Sequence, residues 1–239
     1  MDIYKEKMNK ELRTWQKAMQ RGPGLPGRLA RKVQQRINKV IPEKVHNALT
    51  TAIKQMTRAV ITGAGFTAPS PLRESDILLL EEKVRARISF YKTTAATEGA
   101  LTGAGGILLG LADFPLFLAI KMKMLFDIAA LYGYDVNNYK ERIFILYIFQ
   151  ITFSAQESRN KIYPVIANWQ QYSRELPDDI HAFDWRNFQQ EYRDYLDLAK
   201  LLQLMPVIGA AVGAVVNHRL TEKLGKAAMN AYRMRLSAD

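Results

Sequence analysis

The sequence predicts an all-α fold. Apolar residues recur at helical spacing along nearly all of the 239 residues, and no stretch shows sustained two-residue alternation bounded by hairpin turns. Glycine–proline clusters, RGPGLPG at 21–27 and APSPL at 68–72, interrupt that pattern where helices must end. The mixture of 48% hydrophobic and 24% charged residues is that of a globular chain, which excludes wholesale disorder, collagen or a coiled-coil rod.

Each element follows from its own stripe. In residues 2–20, Tyr4, Met8, Leu12, Trp15 and Met19 line one face with lysines around it. After the 21–27 break, Leu29, Val33, Ile37 and Val40 form a second stripe that stops before Pro42. Pro42 can open the next helix, where its missing N–H removes no bond, and Val45, Leu49, Ile53, Met56 and Val60 are its inward residues. Ser75 is the expected cap of a helix that turns Ile77, Leu80, Val84, Ile88 and Tyr91 inward, with Glu81 and Arg85 as an i,i+4 pair. The stretch 99–120 has Asp113 as its one charged residue, and the chain then runs to a turn at Gly133. Residues 139–153 read as a buried helix, LPDD at 176–179 as a loop, Asp184 as the cap of a helix over 185–204, and PVIGAAVGAVVN at 206–217 as the start of the last helix. The expected organisation is one helical domain, 28–239, preceded by a basic amphipathic arm and linker over 1–27.

Charge is concentrated at one end. Of the net +11, residues 1–60 hold +10 and the remaining 179 residues hold +1. A cationic segment of this kind points to an anionic partner. Lys5, Lys7, Lys10, Arg13 and Lys17 surround the first stripe, and Arg28, Arg31, Lys32, Arg36 and Lys39 surround the second. With Trp15 as an interfacial anchor, these are the candidate contacts to an anionic membrane surface. Nucleic acid would use the same charges, but no RRM, KH or zinc-finger signature is present. The N-terminus lacks the apolar core of a secretory signal and fits a transit peptide poorly, so the expected location is cytoplasmic, peripherally on the inner face of the cell membrane.

Catalysis has no positive signal. The chain has no cysteine, which removes thiol nucleophiles, Fe–S clusters and Cys-type zinc sites. His46, His181 and His218 are far apart and in no metal spacing, and G-x-S-x-G is absent. The glycine cluster at 99–110 lacks GK[ST] and has Leu108 where a dinucleotide fingerprint needs glycine. It instead has small-xxx-small spacing: Gly99 with Gly103, Gly106 with Gly110, and again Gly209 with Gly213, which lets helix backbones approach closely. Residues 99–120 are long enough to span a bilayer, which needs about 20 apolar residues. Asp113 would cost roughly 2.5–3.5 kcal/mol there, and Pro115 is beside it, so a buried core helix or a re-entrant hairpin fits better. Mean hydropathy of −0.17 agrees.

Glu98 and Asp113 are carboxylates among apolar neighbours and must find partners or take up a proton. Asn217, His218, Lys121 and Lys123 can supply partners in a buried polar network, and Asp113 can alternatively cap the helix after it. A competing reading, an enzyme or a metal- or small-ligand-binding protein, converges Glu98 and Asp113 with Asp127, Asn217 or His218, and such an oxygen-rich group suits Mg²⁺, Mn²⁺ or Ca²⁺.

The block from Glu98-Gly99 to Asp113-x-Pro115, followed by Tyr132-Gly133-Tyr134, resembles the EcsC protein family. So do the runs at 205–235 and 25–49, and the resemblance covers nearly the whole chain. It implies a partner rather than a reaction: EcsC-like proteins of Bacillus-type bacteria accompany the ATP-binding and membrane subunits of an ABC exporter linked to protein secretion and regulated proteolysis. The family supplies no catalytic residues to carry over, and this chain has no nucleotide-binding signature, so no cofactor is implied.

Overall fold

A computed structural model describes residues 2–21, 43–63, 67, 70–72, 74, 76–103, 106–197 and 210–237, with side chains except those of residues 2, 95–113 and 210–213. Among the described residues the chain is all α, with nine helices and no strand. The stripe at 29–40, its basic residues Arg28, Arg31, Lys32, Arg36 and Lys39, and Ser75 lie outside the described residues.

Helix α1 (Asp2–Gln20) buries Leu12 and Met19. Helix α2 (Glu43–Thr62) buries all five residues of its predicted stripe. Helix α3 (Ile77–Gly103) buries Leu80, Val84, Ile88 and Tyr91; its start is held by Asp76, whose Oδ1 accepts from the Leu78 N–H at 2.8 Å. Helix α4 (Gly106–Leu131) packs against α3 and continues through Pro115. Asp113 lies inside α4, not ahead of it, so the alternative that it caps a helix is corrected.

Helix α5 (Tyr139–Phe153) occupies the residues predicted, and every side chain but Lys140 and Tyr147 is buried. An apolar surface on all sides requires neighbours on all sides: α2, α4, α6 (Gln156–Ala167) and α9 (Ala210–Leu236) supply them. Helix α6 and the short α7 (Trp169–Glu175) are not among the predicted elements, although their buried residues Ile162, Ile166 and Trp169 stand at i, i+4 and i+7. Helix α8 (Trp185–Tyr195) is capped as expected, Asp184 Oδ1 accepting from the Asn187 N–H at 3.1 Å. Its length is corrected: it stops at Tyr195 rather than 204, because Leu196 is extended and the Asp197 N–H donates to the Phe153 carbonyl at 3.1 Å. Helix α9 runs along α3 in the most extensive packing of the fold and also touches α1, α4, α5 and α6.

The turn between α4 and α5 depends on glycine. Gly133 has φ of +86°, and a Cβ there would stand 3.2 Å from the Leu72 carbonyl oxygen. With this backbone, the Gly133 N–H bonds the Ala130 carbonyl and the Tyr134 N–H bonds that of Ala129, both at 3.0 Å, closing α4.

Arg142 then ties this turn to α2. Its guanidinium donates to the carbonyls of Ile61 at 2.9 Å, Val136 at 3.0 Å and Asn137 at 2.7 Å. Arg142→Ala leaves these carbonyls without that donor and is expected to destabilise the fold by about 2 kcal/mol. That is a fall of roughly 4–8 °C in Tm for a chain of this size. Arg142→Lys should recover only part of it, since one ammonium cannot reproduce the fork. An unchanged Tm in Arg142→Ala would remove the capping role.

Candidate functional site

The basic end of the chain is built on α1, and its two faces differ. The apolar face is spent on the fold: Leu12 and Met19 are buried, and half-buried Trp15 packs against Tyr163 of α6 with ring centroids 6.1 Å apart. Lys5, Lys7, Lys10, Arg13 and Lys17 are exposed. Trp15 therefore packs on Tyr163 while lining a groove beside it, and α1 offers its surroundings a cationic face that also carries Ile3, 85% exposed.

A buried ionic latch holds that helix. Arg233 of α9 is 2% exposed and Glu81 of α3 is 0% exposed. The Arg233 Nε and Nη2 donate to the two Glu81 oxygens at 2.6 Å each, the bidentate arrangement that a guanidinium favours. Arg233 Nη1 also donates to Glu11 of α1 at 3.1 Å, and Tyr4 of α1 donates its hydroxyl proton to Glu81 at 2.6 Å. Arg85 Nη2 reaches Glu81 at 3.2 Å, confirming the i,i+4 pair but as the lesser contact. Burial pushes the Glu81 carboxyl up, but the bonds from Arg233 and Tyr4 and the charges of Arg233 and Arg85 outweigh it and hold the carboxyl below its ordinary value. Burial likewise opposes charge on Arg233, and Glu81 more than restores it. Because these groups satisfy one another, the latch fixes α1 in place.

Sequence reasoning missed this pair, though a signal existed. Glu81 stands four residues after Ile77 and three before Val84, on the inward stripe of its helix. A carboxylate within such a stripe requires a buried cation.

The central polar residues are brought together only in part. Lys121 of α4 and Asn217 of α9 are both fully buried, and the Lys121 ammonium donates to Asn217 Oδ1 at 2.8 Å. His218 is half-buried and outside that bond. Asp127 accepts from the Tyr91 hydroxyl at 2.8 Å and from Lys123, with Arg87 Nε at 3.7 Å. A carboxylate met by a hydroxyl and two cations has the environment of an ion pair rather than a cation ligand. Among the described residues no three His, Asp or Glu side chains are grouped to hold a metal. The side chains of Glu98 and Asp113 lie outside the described set, as do the surroundings of Gly99, Gly103, Gly106, Gly110, Gly209 and Gly213. Among the described residues no helix is long and apolar enough to cross a membrane.

Comparison with known proteins decides the family. The EcsC protein family model matches residues 6–236, and the Bacillus subtilis (strain 168) protein named Protein EcsC is 40% identical over 225 residues, covering 93% of this chain and 92% of that one. The chain belongs to the EcsC protein family. A second Bacillus subtilis protein, the uncharacterized YdbA, is 28% identical over 246 residues, covering 95% of this chain and 90% of that one. No solved structure matches.

In this EcsC-family chain the Tyr132-Gly133-Tyr134 motif has a structural role. The left-handed glycine lets both tyrosine rings stack on Tyr232 of α9, each with centroids 5.2 Å apart. The Tyr232 hydroxyl donates to buried Glu141 at 2.7 Å, which also takes two bonds from Arg235 at 2.7 and 2.9 Å. The Arg235 guanidinium lies 3.6 Å over the Tyr134 ring. The motif thus fastens the α4–α5 turn to the end of α9.

Proposed function

We propose that this protein is a non-enzymatic accessory protein that docks on anionic lipid at the cytoplasmic face of the membrane and works beside an ABC exporter in protein secretion or regulated proteolysis. The observation that supports docking is the outward cationic face of α1: Lys5, Lys7, Lys10, Arg13 and Lys17 are exposed, with Ile3 beside them, while Leu12 and Met19 are buried in the fold. Each basic residue that comes near an anionic surface contributes about 1 kcal/mol, and the contribution is screened beyond about 10 Å at 0.1 M salt. Docking of this kind is electrostatic and reversible. The exporter association is supported by EcsC-family membership, and cross-linking from a photoreactive group placed at Lys10 in cells is expected to recover a transporter subunit.

Co-sedimentation with vesicles across a salt series tests the membrane half. Binding is expected to phosphatidylglycerol-containing vesicles at low salt, with loss at high salt, and none to purely phosphatidylcholine vesicles. The double variant Lys10→Gln/Arg13→Gln removes two exposed charges remote from the latch and is expected to weaken binding by about 2 kcal/mol, roughly thirtyfold. Equal binding to both vesicle types, or no vesicle binding with tight binding to DNA or RNA, would reject this function.

A further inference from the structure

Between α1, α6 and α9 lies a groove of about 410 Å³ whose floor is apolar, formed in part by Trp15, Met19 and Ile151. Its rim carries Arg159, Arg219, Lys223 and Lys226, with Glu222 as its one carboxylate. From the groove and its cationic rim we infer that this is a binding site for a single phosphate-bearing lipid, the phosphomonoester on the rim cations and the first part of an acyl chain on the floor. The inference goes beyond surface docking: Trp15 and Met19 lie on the inner face of α1, whereas Lys10, Arg13 and Lys17 lie on its outer face.

Arg159 is the most informative member. Its Nε has no hydrogen-bond partner, and its Nη1 makes only a long contact of 3.4 Å to Gln156 Oε1. Gln156 is itself fixed, donating to the carbonyls of Ala18 and Met19 at the end of α1 at 3.3 and 3.1 Å. Burial pulls the Arg159 guanidinium below its ordinary range, and Asp197 offsets only part of that. A guanidinium N–H removed from water and left without an acceptor is unfavourable, and an anion in the groove would relieve it. Arg219 forms no ion pair among the described residues.

Charge selects the head group. Glu222 is shared between Lys226 at 2.8 Å and Lys92 at 3.3 Å, which hold its carboxyl below its ordinary value. With Lys226 committed to Glu222, the guanidiniums of Arg159 and Arg219 line the groove, and a phosphate ester, which carries about −1.5 to −2, accepts guanidinium forks in pairs. The apolar floor selects for a chain behind the phosphate, since pockets of this size bind by apolar area with a few polar groups fixing orientation. An acidic peptide would match the rim and leave the floor unused.

Calorimetric titration of the intact protein with dioctanoyl phosphatidic acid, kept below its micelle concentration, tests the site without a membrane. Saturable one-to-one binding is expected, with at least a tenfold loss in Arg159→Gln and in Arg219→Gln. Arg219 is exposed, so its variant should keep the parent Tm, and Lys10→Gln/Arg13→Gln should bind the monomeric lipid as the parent does. Inorganic phosphate with the same affinity would reduce the groove to an anion site and overturn the lipid assignment. Equal binding of dioctanoyl phosphatidylcholine or of octanoate would overturn the phosphomonoester, and displacement by an acidic peptide would make the partner a protein. Vesicle binding without monomer binding removes the groove and leaves the surface-docking function intact; monomer binding without vesicle binding does the reverse.

Discussion

Arg233→Met is expected to destabilise the protein by about 3 kcal/mol, because it removes one member of a buried ion pair and leaves the Glu81 carboxylate with only Tyr4 and the half-exposed Arg85. Glu81 is fully buried, and both of its 2.6 Å guanidinium bonds disappear together. Helix α1 is expected to loosen as well, since Arg233 also holds Glu11, and hydrogen exchange over residues 2–20 should accelerate more than over α5. The double variant Arg233→Met/Glu81→Leu separates charge from packing: with neither charge buried it should recover a large part of the loss, and the two single effects should be far from additive. Acid provides a further check with a definite sign. In the parent the Glu81 carboxyl sits below its ordinary value of 4.5, so its contribution is complete above about pH 4.5 and is lost as pH falls through the lowered value. In Arg233→Met burial loses its main opponent, the carboxyl rises, and the folded state takes up a proton more readily than the unfolded one. The gap between variant and parent should therefore narrow from pH 7 to pH 4. A gap that stays constant across that range, with additive single effects, would show that the pair is not coupled.

What the sequence reveals follows from how each residue communicates its surroundings. The stripes of α2 and α3 and the boundaries of α5 are legible because burial on one face, or on all, leaves a periodic trace. Helix α8 loses its last predicted turns because the Asp197 N–H pairs with Phe153, some forty residues earlier, and a contact of that span leaves no local pattern. The cationic face of α1 is visible in the charge count, but its outward direction depends on α6 and α9 occupying the other side. Trp15 shows the ambiguity directly: an aromatic on an amphipathic helix has the same spacing whether it enters a bilayer or packs on Tyr163 at the edge of a groove. The same holds for the candidate groove, since Arg159 and Arg219 stand 60 positions apart and become neighbours only through the packing of α6 beside α9.

The small-xxx-small spacing predicts close helix packing at glycines whose surroundings lie outside the described residues, and the contact that the structure makes plain is at another glycine. Gly225 of α9 faces Ile88 of α3 so closely that a Cβ there would stand 2.7–2.8 Å from three atoms of the isoleucine side chain. Ile88 is buried and β-branched, with one strongly preferred χ1 in a helix, so it has no nearby rotamer to retreat to. Gly225→Ala sets a helix-propensity gain of about 1 kcal/mol against overpacking of about 1–3 kcal/mol, and a net loss of about 1 kcal/mol is expected. Gly225→Leu has no such offset in proportion to its size: it must separate α3 from α9 along the fold's most extensive contact, and a loss of about 3 kcal/mol is expected. Ile88→Ala alone should also destabilise, by about 2–5 kcal/mol, through the cavity it leaves. Placed together, Gly225→Leu and Ile88→Ala exchange a large residue across the interface, and thermal or urea unfolding should find the pair more stable than the sum of the single losses by at least about 1 kcal/mol. Strict additivity would mean that the two residues do not press on one another, and the close approach of α3 to α9 at Gly225 would have to be abandoned.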